Sequence, residues 1–311
     1  MMHRFSIMDC RLGLLLGLVL FSIWVPSSSA QYTRQNIPPN FATDKLVAWC
    51  IVPFDAKQRG PAERAAMLDR LGLTRSAYDW RKQHVAEFEE EILQYKKHDI
   101  DFFAFWNQHP NAFELFKKHQ IHPQVWKTLK KPIGKTQAER VEVAARSVED
   151  LAKTTKGLDC PLGLYNHGGW SGNPTNLVAV VERLHELGYH HVGIVYNWHH
   201  GHDQIDDWDT AFAAMKPHLH CLNLNGMNPG ATPKILTLGQ GKHDAAMLSS
   251  VMNSGYKGPI GILDHQFELD TEAALQDNLD GLEWLLKEWQ VPGSGGDKPV
   301  PKAKPLVPEP K

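Results

Sequence analysis

Histidines, amides and carboxylates gather at the ends of short apolar runs in this chain. The densest set follows Val192-Gly193-Ile194-Val195-Tyr196, where Asn197, His199, His200, His202 and Asp203 come in quick succession. Asn166 and His167 follow the run that ends in Tyr165. Asn223 and Asn225 close Leu219 to Leu224, and Asp264 and His265 follow Pro259 to Leu263. Earlier, Asp55 comes after Leu46 to Val52, Asp79 and Arg81 after Leu73 to Tyr78, and Asn107 and His109 after Ile100 to Phe105. Trp49, Trp80, Trp106, Trp170 and Trp198 stand among them. Amides and carboxylates satisfy hydroxyl groups, and an aromatic face packs on the apolar face of a sugar ring. The set points to a small polyhydroxylated ligand. The bland alternative is tryptophan filler with solvated loop histidines; recurrence at nearly every strand end favours function.

Those groups need a scaffold that brings strand ends together. A short apolar run bounded by polar residues reads as a strand buried on both faces of a parallel sheet. After it, Ile205, Trp208, Phe212 and Met215 recur at helical spacing. This strand, polar burst and amphipathic helix form the repeating unit of a β/α barrel, whose C-terminal strand ends carry the active site. Strands are predicted at 46–52, 73–78, 100–105, 121–126, 162–165, 192–196, 219–224 and 259–263. Helices are predicted between them, one from Pro61 to Leu71, one opened by a Thr136/Glu139 capping box, and a last one carrying Leu275, Leu279, Leu282 and Leu286. The fold class is α/β, a (β/α)8 TIM barrel. A doubly wound open sheet would also alternate strands and helices, but no GxGxxG follows a first strand.

The 311 residues accommodate one such barrel of about 250 residues, predicted over 44–290. Residues 1–30 read as a secretory signal: basic His3, Arg4 and Arg11, an apolar run Leu12 to Val25, then Ser28-Ser29-Ala30. That run falls short of the roughly 20 apolar residues of a membrane span. Cleavage near Ala30 would leave an exported protein, periplasmic or secreted, with no membrane span; an uncleaved N-terminal anchor is the alternative. Residues 31–43 read as an N-terminal arm. Residues 291–311, rich in Pro, Gly and Lys, read as a disordered tail. A formal net charge of −2 offers no electrostatic case for nucleic acid. Cys50, Cys160 and Cys221, an odd and widely spaced set, read as small buried hydrophobes and not as a disulfide framework.

Short motifs in this order resemble the xylose isomerase-like TIM barrels, the group of sugar phosphate isomerases and epimerases that also includes the endonuclease IV type. The likeness spans about Asp44 to Trp289. It rests on Tyr78-Asp79-Trp80-Arg81, Leu164-Tyr165-Asn166-His167, Asn197-Trp198-His199-His200, Leu222-Asn223-Leu224-Asn225, and Gly255-Tyr256-Lys257-Gly258 leading into the final strand. The resemblance implies a divalent ion held by Glu, Asp, His and Glu on strands five to eight. Here those positions carry Tyr165, Asn197, Asn223 and Leu263. A hard divalent ion needs carboxylates or several imidazoles, so the proton shuttle through the two Glu does not carry over. His167 and His200 match histidines of the family pattern.

Two functions remain open. In the first the chain is a carbohydrate enzyme with a rearranged site, in which His167, His200, Asp264 and His265 supply metal-free acid and base or a displaced divalent-metal site. The reaction would be isomerisation or epimerisation beside a carbonyl, or elimination or hydrolysis on an oxidised sugar. In the second the barrel binds a sugar or glycan without catalysis. Substrate contacts are expected from Trp49, Asp79, Arg81, Trp106, Asn107, Tyr165, Asn166, Trp170, Asn197, Asn223 and Asn225. The run His199-His200-Gly201-His202 also fits a surface metal scavenger or an ordinary solvated loop. An endonuclease is third, lacking both ligands and basic charge.

Overall fold

A computed structural model describes residues 36–306. The expected signal peptide and its cleavage point lie outside the described residues. Eight strands close into one parallel barrel in sequence order, as expected: β1 (Val47–Trp49), β2 (Arg75–Tyr78), β3 (Asp101–Trp106), β4 (Gln124–Thr128), β5 (Leu162–Tyr165), β6 (Val192–Asn197), β7 (Leu219–Leu224) and β8 (Ile260–Leu263). Pairing of β1 with β8, Trp49 opposite Leu263, closes the ring.

The helices are α1 (Pro61–Arg70), α2 (Phe88–Lys97), α3 (Pro110–His119), α4 (Gln137–Gly157), α5 (Pro174–Glu186), α6 (Trp208–Met215), α7 (Asp244–Asn253) and α8 (Thr271–Gln290). Local chemistry starts them. Proline opens α1, α3 and α5, where its missing N–H costs nothing. Thr136 and Glu139 cap α4 reciprocally, while Asn173 and Asp270 accept main-chain N–H groups at the starts of α5 and α8.

Alternation along the strands sorts the core into two layers. Ala48, Tyr78, Phe105, Leu162, Ile194 and Leu222 face the helices. Val47, Trp49, Ala77, Ala104, Trp126, Tyr165, Val195 and Cys221 fill the barrel itself. Packed side chains inside a barrel of this size are the rule, so it is a core and not a pore. All three described cysteines are free and buried, as expected.

Some boundaries differ from the sequence reading. β1 is cut to three residues because Cys50 turns left-handed, at φ 57°. β4 begins at Gln124, not at Ile121, because Pro123 has no N–H for the ladder. Between β2 and α2 the chain makes a 3-10 turn over Lys82–Glu87.

The terminal segments are tied down. Phe41 of the arm is buried, and Asn40 donates to the Gly258 carbonyl at 2.8 Å. Residues 291–306, expected as a disordered tail, run as a strap. The Asp277 carboxylate accepts from the main-chain N–H of Lys302 and Ala303 at 2.7–2.9 Å, and Pro305 bridges to Leu269. Hydrogen bonds hold this segment where a hydrophobic core does not. Among the described residues no helix is long and apolar enough to cross a membrane.

Candidate active site

The strand ends of β1, β2, β3, β5, β6 and β8 surround a small cavity of about 70 Å³. It is lined by Trp49, Cys50, Phe54, Asp79, Arg81, Trp106, Tyr165, His167, His200 and His265. Eight of these were expected from sequence. Beneath it lie packed rings: Trp49 meets Trp126 at 4.8 Å between centroids and Trp106 at 5.6 Å, and Trp106 meets Tyr165 at 4.9 Å.

Histidines form the upper rim. His167 and His200 stand 4.5 Å apart between ring centroids, His200 and His199 3.7 Å, and His199 and His265 4.8 Å. Burial pushes the His200 imidazole far below its usual value, and the neighbouring His167 and the Lys234 ammonium push it the same way. His265 is lowered too, chiefly by burial. These rings are therefore neutral at neutral pH. His199 is 1% exposed, and neither ring nitrogen has a hydrogen-bond partner among the described residues.

Asp79 is the carboxyl that lines the cavity, and burial brings it close to neutral pH. Burial raises its carboxyl to about 6, against the pull of the Arg81 guanidinium. One carboxylate oxygen accepts from the Val52 N–H at 3.1 Å; the other has no partner among the described residues. Arg81 is anchored by donation to the carbonyls of Asp79 and Trp80, and its guanidinium lies over the Phe54 ring.

Backbone strain marks the same place. Cys50, Asn107 and His265 have φ of 57°, 63° and 58° just past β1, β3 and β8. Left-handed backbone costs side-chain-bearing residues energy, and such strain clusters at functional sites.

Several expected contacts do other work. Asp264 does not line the cavity. Its carboxylate accepts from the Thr271 hydroxyl at 2.7 Å, and burial raises its carboxyl to about 8. Trp170 sits at the outer helices, donating to Gln137. Asn166 clamps the main chain of Asn197, and the Asn197 amide donates to the Tyr165 hydroxyl at 2.7 Å. Asn107 accepts from Lys127. Asn223 lies against Gly261, where a Cβ would collide with its side-chain oxygen. Asn225 pins the loop after β7 by donating to Lys234 and accepting from Leu236. That loop carries Lys234 to 3.5 Å from His200. Sequence reading missed Lys234, Phe54 and Cys50. Lys234 lies eleven positions beyond Asn223 in an irregular loop with no periodicity to flag it.

The strand-end donors can be compared with what a divalent ion needs. At the positions implied for ion ligands, Tyr165 and Asn197 bond each other, Asn223 is an amide and Leu263 is apolar. No group of three or more His, Cys, Asp or Glu side chains among the described residues is arranged to hold a metal ion. Of the expected set, His167, His200 and His265 share the cavity wall, and Asp264 lies outside it with one carboxylate oxygen on the Thr271 hydroxyl. This donor set does not fit a magnesium-type ion.

A closed (β/α)8 barrel with its polar groups at the C-terminal strand ends is a TIM barrel. Three solved structures show the likeness. The IOLI protein with a zinc atom superposes at TM-score 0.62 with 11% identity, over 78% of this chain and 99% of that one. The 3-keto-D-glucoside 4-epimerase YcjR from E. coli gives 0.57 and 13%, over 77% and 98%. A xylose isomerase-like barrel from Mycobacterium smegmatis in complex with magnesium gives 0.52 and 12%, over 84% and 100%. At such identities the likeness establishes the fold. No protein-family model and no curated protein matches the chain by sequence.

Proposed function

We propose that this barrel is a carbohydrate enzyme that moves a proton beside a carbonyl, with Asp79 as its acid/base group. The observation that carries the reading is Asp79, raised to about 6, next to Arg81 on a cavity rimmed by His167, His200 and His265. A general base works best with a pKa near the operating pH. Asp79 takes the proton from the carbon next to the carbonyl, and the C–H electron pair becomes the enolate. Arg81 stabilises the developing negative oxygen. A proton returned to the same carbon from the opposite face gives epimerisation; returned to the former carbonyl carbon, with the adjacent hydroxyl proton passed to the former carbonyl oxygen, it gives isomerisation. The His200 and His265 imidazoles, kept neutral by burial, and the Tyr165 hydroxyl orient substrate hydroxyls. Solved neighbours of the same fold include sugar epimerases and a dehydratase by their own descriptions, which supports a sugar substrate for this fold. The reading assigns Asp79 the role that sequence gave to Asp264, and it uses no metal-dependent step.

The test is deuterium uptake from solvent into keto-sugars, followed by proton NMR across pH 5–8. Exchange is expected to rise to a plateau above about pH 6 and to fall about 10²–10⁴-fold in Asp79→Asn. Exchange unaltered in Asp79→Asn overturns the assignment. Sugar binding with no exchange in the parent establishes a recognition barrel instead.

A further inference from the structure

The cavity of about 70 Å³ is several-fold smaller than the roughly 300–1,000 Å³ of ordinary small-molecule sites. Beside it lies an open groove of about 1100 Å³, framed by the loops after β1, β2 and β8 and by Pro305 and Leu306 of the strap. One wall serves both. Phe54 lines the small cavity, stacks on His265 at 4.1 Å and meets Phe267 at 4.5 Å; Phe267 lines the groove and is 65% exposed. On the other side, the Arg81 N–H donates to the His84 ring, which faces the groove.

The groove's arginines are spent internally. Arg59 pairs with Asp55, Asp270 and Glu272, and buried Arg64 pairs with Glu91. Neither guanidinium is left to receive a phosphate or carboxylate. What remains toward solvent is the amides Gln58 and Gln83, the His84 imidazole, the carboxylates Glu87 and Glu268, and an exposed aromatic face at Phe267. Amides and carboxylates that satisfy hydroxyls, beside an aromatic face, suit a chain of sugar rings, and carboxylates with no free guanidinium beside them repel a phosphorylated one.

We infer that the groove is an outer binding site for an uncharged oligosaccharide, whose end reaches past Phe54 toward Asp79. This inference rests on the proposed carbohydrate activity and adds the substrate class: several linked neutral units, not one phosphorylated monosaccharide.

The experiment is calorimetric titration of the full chain with gluco-, xylo- and chito-oligosaccharides of one to four units, and with glucose 6-phosphate. The expected result is at least tenfold tighter binding from one unit to three in one series. That gain should shrink in Phe267→Ala, whose exposed ring is not needed for folding. It should shrink also in Asp277→Ala, which frees the strap wall. Equal affinity along every series, or a preference for the phosphorylated sugar, overturns the inference while leaving the proposed activity standing. A chain-length gain unchanged in both variants overturns the placement in this groove. No binding by any member refutes both.

Discussion

The side chain of Asn166 bonds both main-chain groups of Asn197: its amide donates to the Asn197 carbonyl at 3.0 Å, and its oxygen accepts the Asn197 N–H at 2.7 Å. This bidentate clamp joins the ends of β5 and β6 where the ladder stops. Asn197 in turn accepts from the His199 N–H and donates to Tyr165. The histidine turn and the tyrosine in the cavity are thus set by one buried amide that does not itself line the cavity.

Asn166→Ala should therefore lower stability. It strands two buried main-chain groups, at about 1–3 kcal/mol each when unmet. A loss of about 3 kcal/mol is expected by urea denaturation. A loss under about 0.5 kcal/mol would show that the clamp contributes little beyond an ordinary surface substitution.

Asp264 sets a pH dependence of opposite sign to an ordinary ion-paired carboxylate. Burial raises its folded value from 3.8 to about 8. Its contribution is fully present below about pH 4 and is lost as pH rises toward 8, because the unfolded chain releases the proton first. Asp264→Asn keeps the shape without the ionisation. Thermal scans should show the parent losing ground to Asp264→Asn steadily between pH 4 and 8. Parallel curves would mean that Asp264 titrates normally.

Arg64 and Glu91 form a buried ion pair between α1 and α2. Glu91→Ala leaves an uncompensated guanidinium and should cost about 3–5 kcal/mol. The double variant Arg64→Met with Glu91→Leu should recover most of that, since apolar replacement of a buried pair is often neutral. A double variant as unstable as Glu91→Ala would mean that the Arg64 bond to the Arg59 carbonyl, at 2.6 Å, dominates.

Legibility differed by element. β5 and β7 match their predicted ranges; in β5 the apolar run is buried on both faces, the strongest local signal for a barrel strand. β1 and β4 were misjudged at their ends. Their limits depend on the left-handed turn at Cys50 and on which N–H groups a neighbour can pair. Among the site residues, Asp79 and Asp264 follow strands in the same way and read alike. They differ only in their tertiary partners, the Val52 N–H for one and the Thr271 hydroxyl for the other.

Sequence alone determined that this is a β/α barrel and which strand ends carry its polar groups. Hydrophobic periodicity and helix caps are local, and each is written within a few residues. The structure decided what those groups do. It neutralised His200 by burial, held Asp79 near neutrality, turned Asp264 away and brought Lys234 to His200. It also laid the strap along α8 and left the groove beside Phe54. These outcomes depend on desolvation and on contacts between residues far apart in the chain. Burial of a charge is a property of the packed surroundings, and no window of sequence contains them.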